Sequence, residues 1–356
     1  MADTFSLDRA STPAGDDAGT DPFAFSIVAG DTVRDLIAAS FPAVVDIVRD
    51  AYLAQADGIA HNPPSHFLRF ADRPRDRIIA LPADLGAEAG LAGIKWIASW
   101  PENVERAIPR ASALLVLNRR DTGYPLCVME ASIISAARTA ASAVLGLQRL
   151  GAGRLPPRPR IGVVGCGVIA RYIVDMILAQ GITPASIAAY DLSIDDAQRL
   201  LDHVGPHAAP EPASSVERLV RGSDVVVFAT TAARPHVLEP GWFAHAPVVL
   251  NISLRDLAPD IILAADNVLD DIDHCLQADT SPHLAEQQVG HRRFVTGTIA
   301  EAIRGTLRFD PARPVIYSPF GMGVLDLAVG HHVYAAARRA GRVVNVPGFF
   351  AERARW

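Results

Sequence analysis

The chain has 356 residues, half of them hydrophobic, and a formal net charge of −6 at pH 7, so its length suits about two domains with their own cores. The absence of a large basic block argues against a nucleic-acid partner and favours a small-molecule ligand. We find neither an apolar run that would span a bilayer nor a signal-peptide pattern, and we therefore expect a cytoplasmic protein without membrane contact.

The first part of the chain predicts a tail followed by a sheet. Residues 1–22 contain few large apolar side chains, so we predict a disordered tail there. A short strand and a helical spacing of apolar residues from Leu36 to Leu53 follow. Four strand-like runs come next, HFLRF, RIIALPADL, LAGIKWIASW and ASALLVLN, separated by charged or Pro-containing turns. These runs predict a largely antiparallel or mixed sheet.

Lys95, in the third of these runs, is the only lysine among the 33 basic residues. It lies between apolar neighbours such as Ile94 and Trp96. Burying an ammonium in a strand costs free energy unless an anion meets it. Lys also differs from Arg in that its pKa shifts on desolvation, so that it can move protons. We therefore favour a functional Lys95 over a lysine left by drift on a solvated surface.

A different pattern begins near Glu130. The Ala-rich helix ASIISAARTAASAVLGLQRL leads through a Gly- and Pro-containing linker into short β-branched strands that alternate with helices. This alternation is typical of a parallel sheet covered on both faces. The final helix, in GMGVLDLAVGHHVYAAARRAG, is expected to fold back onto the first region. We predict an α/β protein in which a Rossmann doubly wound domain, 139–318, interrupts a mixed α+β domain, 23–138 with 319–356.

The segment IGVVGCGVIARYI carries a G-x-G-x-x-A pattern between a strand and a helix. In this context Gly165 makes the tight turn, Gly167 lets the backbone approach a pyrophosphate, and Ala170 permits close helix packing. The helix N-terminus offers amides and a positive dipole end. Asp191 ends the next strand, where an acid binds ribose hydroxyls and favours NAD over NADP. The residues expected to bind NAD here are Gly165, Gly167, Val168, Ile169 and Asp191.

Polar residues end two further strands of this region. Thr230 and Thr231 follow VVVFA, and Asn251 and Ser253 end or follow VVL. Ligands of open α/β sheets bind beyond the carboxyl ends of the strands. We therefore add Thr230, Thr231 and Ser253 to the cofactor site, although a simple cap at a strand end explains each one equally well.

Two charged residues stand out by their surroundings. Arg138 is the only charged residue from Ala131 to Leu147, and its planar fork suits a carboxylate, whether of a ligand or of a structural partner such as Glu130. Asp256 lies just past a strand end, where a carboxylate can transfer a proton. Taken alone, Asp256 would be interpreted as a loop residue or a helix cap.

The three cysteines, Cys127, Cys166 and Cys275, follow no metal-ligand spacing, and we expect them to be reduced packing residues. The segment DDIDHC has a composition that suits metals but no established ligand spacing. We therefore expect no metal.

The motifs GIKW, EASIISAARTAASA, GVVGCGVIARYI, ISLRD and GMGVLDLAVG, in this order, resemble the ornithine cyclodeaminase and mu-crystallin superfamily. KWIASWPENVERAIPRASALLVLN, GYP, NISLRDLAP and TSPHLAEQQVGH look most like its branch that makes 2,3-diaminopropionate for siderophores and peptide antibiotics. This resemblance implies a homodimeric NAD-dependent oxidoreductase whose first domain binds substrate and dimerises. It would oxidise the C–N bond of N-(2-amino-2-carboxyethyl)-L-glutamate, and hydrolysis of the imine would release 2-oxoglutarate and 2,3-diaminopropionate.

The resemblance also implies roles for individual residues. Lys95 and Arg138 match the lysine and arginine that hold a substrate carboxylate, and Lys95 counts among the catalytic residues. Asp256 matches the catalytic aspartate, which relays protons and activates water. Arg69 is the candidate for a further carboxylate clamp, and Arg110 would suit a substrate with three carboxylates.

Two alternatives remain open. An ornithine cyclodeaminase would reduce and reoxidise NAD within one turnover, but Ala80 stands where cyclodeaminases carry a glutamate. A crystallin-like binding protein or ketimine reductase would hold a nicotinamide cofactor, and tight NADPH binding would favour it. Asp191 argues against this second alternative.

Overall fold

The computed structural model describes residues 21–355. The predicted tail, 1–22, lies outside the described residues except for its last two positions. The chain divides into two compact units. One, the mixed-sheet unit, comprises the residues up to 38, 54–134 and those from 322 onward, and the other, the parallel-sheet unit, comprises 39–53 and 135–321.

The mixed-sheet unit contains a seven-stranded sheet. Its strands are β1 (Ser26–Val28), β2 (His66–Phe70), β3 (Arg73–Asp84), β4 (Leu91–Ser99), β5 (Ala111–Arg119), β6 (Pro125–Glu130) and β15 (Val344–Asn345). Their order is β15-β1-β6-β5-β4-β3-β2, and only the β1–β6 pair is parallel. This arrangement confirms the predicted mixed sheet. A 3₁₀ helix, Pro101–Arg106, lies between β4 and β5.

Two helices of this unit, α1 (Gly30–Ala38) and α11 (Gly323–Arg339), contact each other, and α11 packs on the middle strands of the sheet. Side chains alternate between the two faces of a strand. Lys95 pairs across the sheet with Leu115, and both are buried, whereas the next pair, Trp96 with Leu114, is 44% and 51% exposed. A Cβ at Gly330 of α11 would lie 2.1 Å from Leu115. The face that carries Lys95 is therefore the face that α11 covers.

The predicted helical stretch from Leu36 to Leu53 is interrupted. Helix α1 ends at Ala38 and α2 spans Phe41–Ala56. Pro42 explains the break, because it lacks an N–H and its ring would clash with the carbonyl of Ala38 in a continuous helix. Most of α2 belongs to the parallel-sheet unit, whereas the sequence placed it in the other domain. The unit boundaries near 134/135 and 321/322 also differ by a few residues from the predicted ones at 138/139 and 318/319.

The parallel-sheet unit contains eight strands, all parallel to their neighbours. They are β7 (Arg160–Val164), β8 (Ser186–Tyr190), β9 (Ala209–Pro212), β10 (Val225–Phe228), β11 (Val248–Asn251), β12 (Asp266–Leu269), β13 (Val295–Thr298) and β14 (Val315–Ser318). The order β13-β12-β14-β11-β10-β7-β8-β9 confirms the predicted doubly wound sheet. All residues of β10 and β11 are buried, as expected for a sheet covered on both faces.

The remaining helices belong wholly or mostly to this unit. They are α3 (Ser132–Gly151), α4 (Val168–Ala179), α5 (Ile194–Val204), α6 (Val216–Gly222), α7 (Pro259–Leu263), α8 (Ile272–Cys275), α9 (Ser281–Val289) and α10 (Ile299–Ile303). A buried hydrogen-bonded triangle ties α2 and α3 to the sheet, since the hydroxyls of Tyr52, Ser142 and Tyr317 lie 2.8–3.1 Å apart. In the described part of the chain, every helix is too short or too polar to cross a membrane.

Candidate active site

The turn after β7 requires glycine. Gly165 has φ +86°, a left-handed conformation that side chains disfavour. A Cβ there would lie 2.8 Å from the backbone of Ala229 and from the amide nitrogen of Thr230, which follow β10. The first glycine of the fingerprint therefore lets two strand ends approach each other closely.

The second glycine borders open space. A Cβ on Gly167 would meet nothing within 4 Å, and α4 begins at the next residue, Val168, which is 56% exposed. Ile169 is half-buried, while Ala170 is fully buried. An open helix N-terminus with unpaired amides is suited to a pyrophosphate. These residues fit the phosphate part of NAD.

Asp191 is held beside this turn by backbone amides. One carboxylate oxygen accepts the N–H of Cys166 at 2.7 Å, and the other accepts the N–H of Ser193 at 2.9 Å. Each oxygen keeps a lone pair for a ribose hydroxyl. Burial, and then the charge of Asp191, raises the pKa of the Cys166 thiol to about 12. Cys166 is therefore an unreactive thiol within the fingerprint.

Four side chains meet at the ends of β10 and β11. The buried carboxylate of Asp256 accepts hydrogen bonds from the hydroxyls of Thr230, at 2.6 Å, and Ser253. His236 lies with its Nε2 2.7 Å from Oδ1 of the same carboxylate. Thr231, by contrast, is exposed. The structure thus brings three of the predicted residues together with a histidine that the sequence did not indicate.

Asn251 turns into the core instead. Its side chain is fully buried and donates to the hydroxyl of Ser318 at 3.0 Å. Of the two polar residues predicted at the end of β11, only Ser253 reaches the Asp256 cluster. Asn251 therefore fits the interpretation of a structural polar residue at a strand end.

Arg138, on α3, lies against a glycine turn. Gly321 has φ +93°, and a Cβ there would lie 2.4 Å from one guanidinium nitrogen of Arg138. The carboxylate of Asp270 holds this turn, because it accepts the N–H groups of Phe320 at 2.9 Å and Gly321 at 2.7 Å. Burial raises the pKa of Asp270. Asp270, the first acid of DDIDHC, therefore holds the backbone of the Gly321 turn. The second acid, Asp271, caps α8.

Lys95 forms a closed ion pair. Its Nζ lies 2.7 Å from Oδ2 of Asp326 on α11, and the two side chains are 1% and 0% exposed. The interpretation of Lys95 as a leftover surface lysine is wrong. The anion that its burial demands comes from the chain itself. Asp326 was missed, although a lone acid in the apolar run GVLDLAV is the same kind of signal that singled out Arg138.

The two remaining arginines lie in different environments. Arg110, just before β5, donates to the hydroxyl of Ser99 at 3.3 Å, and burial lowers the pKa of its guanidinium. Arg69 lies on the exposed edge strand β2, with its guanidinium 5.1 Å from the ring centroid of Phe67. A partly desolvated cation such as Arg110 gains more from an anionic ligand than an exposed one does.

Residues 31–341 match the ornithine cyclodeaminase/mu-crystallin family. The chain belongs to this family. It is 28% identical to the N-((2S)-2-amino-2-carboxyethyl)-L-glutamate dehydrogenase of Staphylococcus aureus over 309 residues, which cover 83% of this chain and 90% of that protein. It is also 28% identical to the alanine dehydrogenase of Archaeoglobus fulgidus over 320 residues, 87% of this chain and 94% of that protein.

A solved structure of an archaeal alanine dehydrogenase dimer with bound NAD has a TM-score of 0.80 and 25% identity, and covers 92% of this chain and 100% of that chain. Together with the named dehydrogenases, it confirms the predicted fold, cofactor and enzyme class: the chain is an NAD-dependent oxidoreductase of the cyclodeaminase/mu-crystallin family. The roles of the individual residues stay predictions.

Proposed function

We propose that the chain oxidises the secondary amine of N-(2-amino-2-carboxyethyl)-L-glutamate with NAD and hydrolyses the imine to 2-oxoglutarate and 2,3-diaminopropionate. The observation that carries this proposal is the similarity, through most of both units, to the Staphylococcus aureus dehydrogenase of that substrate. We place the reaction in the biosynthesis of siderophores or peptide antibiotics, as the branch resemblance implies, and in the cytoplasm, as we expect from the sequence.

Carboxylate binding supports the choice of substrate. The proposed substrate carries three carboxylates, and cationic side chains bind such groups by charge-assisted hydrogen bonds. We assign this task to Arg69, Lys95, Arg110 and Arg138. An ammonium has three donors, so the bond from Lys95 to Asp326 is compatible with a second anion.

The chemistry divides between the cofactor and the chain. Bound NAD supplies the acceptor for the two electrons and the hydrogen that leave the glutamate α-carbon. The glycine turn at Gly165 and Gly167, together with Asp191, Thr230 and Thr231, would bind and orient it. The chain itself orients the amine, excludes bulk water and moves protons through the Asp256 cluster.

The cyclodeaminase alternative receives less support from this chain. Ala80, in β3, pairs with Trp96 across the sheet and supplies no carboxylate at the position where cyclodeaminases carry a glutamate. Oxidation of L-alanine is the stronger second candidate, because an alanine dehydrogenase is similar over as much of the chain.

The experiment is NADH absorbance on mixing the protein and NAD with one amine at a time: N-(2-amino-2-carboxyethyl)-L-glutamate, L-alanine or L-ornithine. We expect NADH with the first, in amounts equal to 2-oxoglutarate and 2,3-diaminopropionate. NADH and pyruvate from L-alanine alone would favour the second candidate. Proline from ornithine without net NADH would mean cyclodeamination.

We also propose that the chain forms a homodimer through the open face of its mixed sheet. Trp96 and Leu114 form an exposed cross-strand pair on this face, and Ile27 of β1, 39% exposed, lies in a parallel row of the same face. An uncovered apolar sheet face is typical of an association surface. Light scattering should return twice the chain mass, and Trp96→Glu with Leu114→Glu should return the single mass. Val104→Glu, at an exposed apolar residue of the 3₁₀ helix, is the control.

A further inference from the structure

The carboxylate of Asp256 is enclosed by its own partners. Oδ1 accepts from Thr230 at 2.6 Å and lies 2.7 Å from Nε2 of His236, and Oδ2 accepts from the hydroxyl of Ser253. The Asp256 side chain is 0% exposed. A carboxylate in this position cannot itself exchange protons with a substrate or water unless a partner carries them.

One partner of Asp256 reaches solvent with an imidazole. The His236 side chain is 40% exposed, and imidazole side chains in general gain and lose protons near neutral pH, whereas hydroxyls such as those of Thr230 and Ser253 do not. If Nε2–H donates to Asp256, the other ring nitrogen, Nδ1, keeps its lone pair. The exposed part of the pair is therefore a proton acceptor held by a buried anion.

The backbone fixes this pair as firmly as the side chains do. The N–H groups of His236 and Val237 both donate to the carbonyl of Asp256, at 3.0 and 2.9 Å. Val237 and Leu257 also form a parallel bridge. Because the two segments are joined at these residues, the imidazole and the carboxylate keep their register without help from a ligand.

We propose that His236 is the group that takes and returns protons in the reaction, and that Asp256 orients it and stabilises its charged form. This inference rests on the proposed function for its substrate, and it moves the direct proton transfer predicted for Asp256 to its neighbour. A buried acid that fixes one ring nitrogen while the other acts as the base is the arrangement of catalytic triads.

The protons balance over one turnover. During oxidation, His236 accepts the proton of the amine nitrogen while the α-carbon hydrogen passes to NAD and the C=N bond forms. After that proton has left to solvent, His236 accepts one from water as the oxygen bonds to the carbon. It returns this proton to the nitrogen, which completes the carbinolamine, and then transfers the hydroxyl proton to the same nitrogen as the C–N bond breaks and the C=O bond forms. The overall reaction converts the secondary amine, NAD⁺ and water into the keto acid, the primary amine, NADH and one proton.

The variants His236→Gln and His236→Ala separate proton transfer from positioning. Gln keeps an N–H donor for Asp256 but cannot accept a proton. We expect both variants to slow single-turnover NADH formation from N-(2-amino-2-carboxyethyl)-L-glutamate by about 10²- to 10⁴-fold, with unchanged NADH affinity and melting temperature. Added imidazole should restore part of the rate of the Ala variant. A Gln variant within about threefold of wild type would overturn the proposal.

His203→Gln is the matched control. His203, on α5, pairs with Asp175 of α4 at 2.5 Å, and its side chain is 44% exposed. It is thus another histidine–aspartate pair of the same unit with a similar exposure, but on the helices rather than at the strand ends. We expect its rate to equal that of wild type. A loss as large as that of His236→Gln would show that the effect is general and would overturn the assignment.

A measurement without substrate tests the role of His236 separately from the proposed substrate. Nitrogen-15 NMR of the ring, assigned by its absence in His236→Gln, should show a protonated Nε2 and a bare Nδ1. Asp256→Asn should reverse this tautomer, because an amide can donate to Nε2. If the wild-type protein leaves N-(2-amino-2-carboxyethyl)-L-glutamate unchanged, the proposed function fails, and the tautomer of His236 alone then tests the arrangement of His236 and Asp256. A protonated Nδ1 in the wild type would overturn the role of His236.

Discussion

In each unit of the molecule, a completely buried aspartate pairs with a basic side chain at 2.7 Å. In the mixed-sheet unit, Asp326 meets Lys95, which is 1% exposed. In the parallel-sheet unit, Asp256 meets His236, which is 40% exposed. The aspartates are alike, and their partners are not. The exposure of the partner decides whether the charge is confined to the core or reaches solvent.

The chemistry of the two partners matches this difference. Enclosing an ammonium and a carboxylate takes both charges out of water, so each becomes costly when the other is removed. An imidazole can be neutral, and it leaves one nitrogen for a second partner. We therefore expect loss of the Lys95–Asp326 pair to lower mainly the free energy of unfolding, and loss of the His236–Asp256 pair to lower mainly the rate of NADH formation.

The largest expected effect comes from breaking the closed pair. Lys95→Met leaves Asp326 buried without its cation, and we expect the free energy of unfolding to fall by about 3–5 kcal/mol. Asp326→Ala should cost a similar amount. Urea unfolding followed by circular dichroism measures both, and His236→Ala in the same series should change the free energy of unfolding much less.

The double variant Lys95→Met with Asp326→Ala separates the structural role of the pair from substrate binding. Most of the lost stability should return, since no charge is left unpaired. If Lys95 also binds a substrate carboxylate, this folded protein should still have a raised KM. A double variant with wild-type KM would restrict Lys95 to the pair with Asp326.

A smaller effect distinguishes Gly165 from Gly167, the two glycines of the fingerprint in the parallel-sheet unit. Gly165→Ala places a Cβ 2.8 Å from backbone atoms at φ +86°, and we expect it to cost about 1–3 kcal/mol of stability as well as NADH affinity. Gly167→Ala meets nothing within 4 Å. It should leave the melting temperature unchanged and weaken NADH binding, measured by fluorescence titration. An unchanged affinity would place the pyrophosphate elsewhere.

The smallest effect concerns cofactor choice. Asp191→Ser removes the charge that repels a 2′-phosphate, and we expect the ratio of kcat/KM for NAD over NADP to fall about tenfold, equivalent to about 1.4 kcal/mol. The variant should also lose the contacts to the amides of Cys166 and Ser193. An unchanged ratio would remove Asp191 from cofactor discrimination.

Local patterns predicted a large part of this structure. The alternation of strands and helices predicted the parallel sheet, and the glycine fingerprint predicted the tight turn after β7. The apolar strand around Lys95 predicted its burial. These features depend on neighbours in the chain, which is why periodicity and turn chemistry are enough to find them.

The partners of the key residues could not be predicted in the same way. Asp326 lies 231 positions from Lys95, and His236 lies 20 positions from Asp256. Such pairs depend on how separate elements pack, and no sequence spacing specifies them. The placement of most of α2 in the parallel-sheet unit has the same cause, because its Tyr52 bonds to Ser142 and Tyr317.

The most direct measurement follows one hydrogen atom. N-(2-amino-2-carboxyethyl)-L-glutamate carrying deuterium on the glutamate α-carbon is mixed with the protein and NAD, and the products are resolved by mass spectrometry. Oxidation at that carbon predicts one deuterium in NADH, none in 2-oxoglutarate, and one equivalent of 2,3-diaminopropionate. Unlabelled NADH, or deuterium retained in an amino acid product, would contradict the proposed reaction.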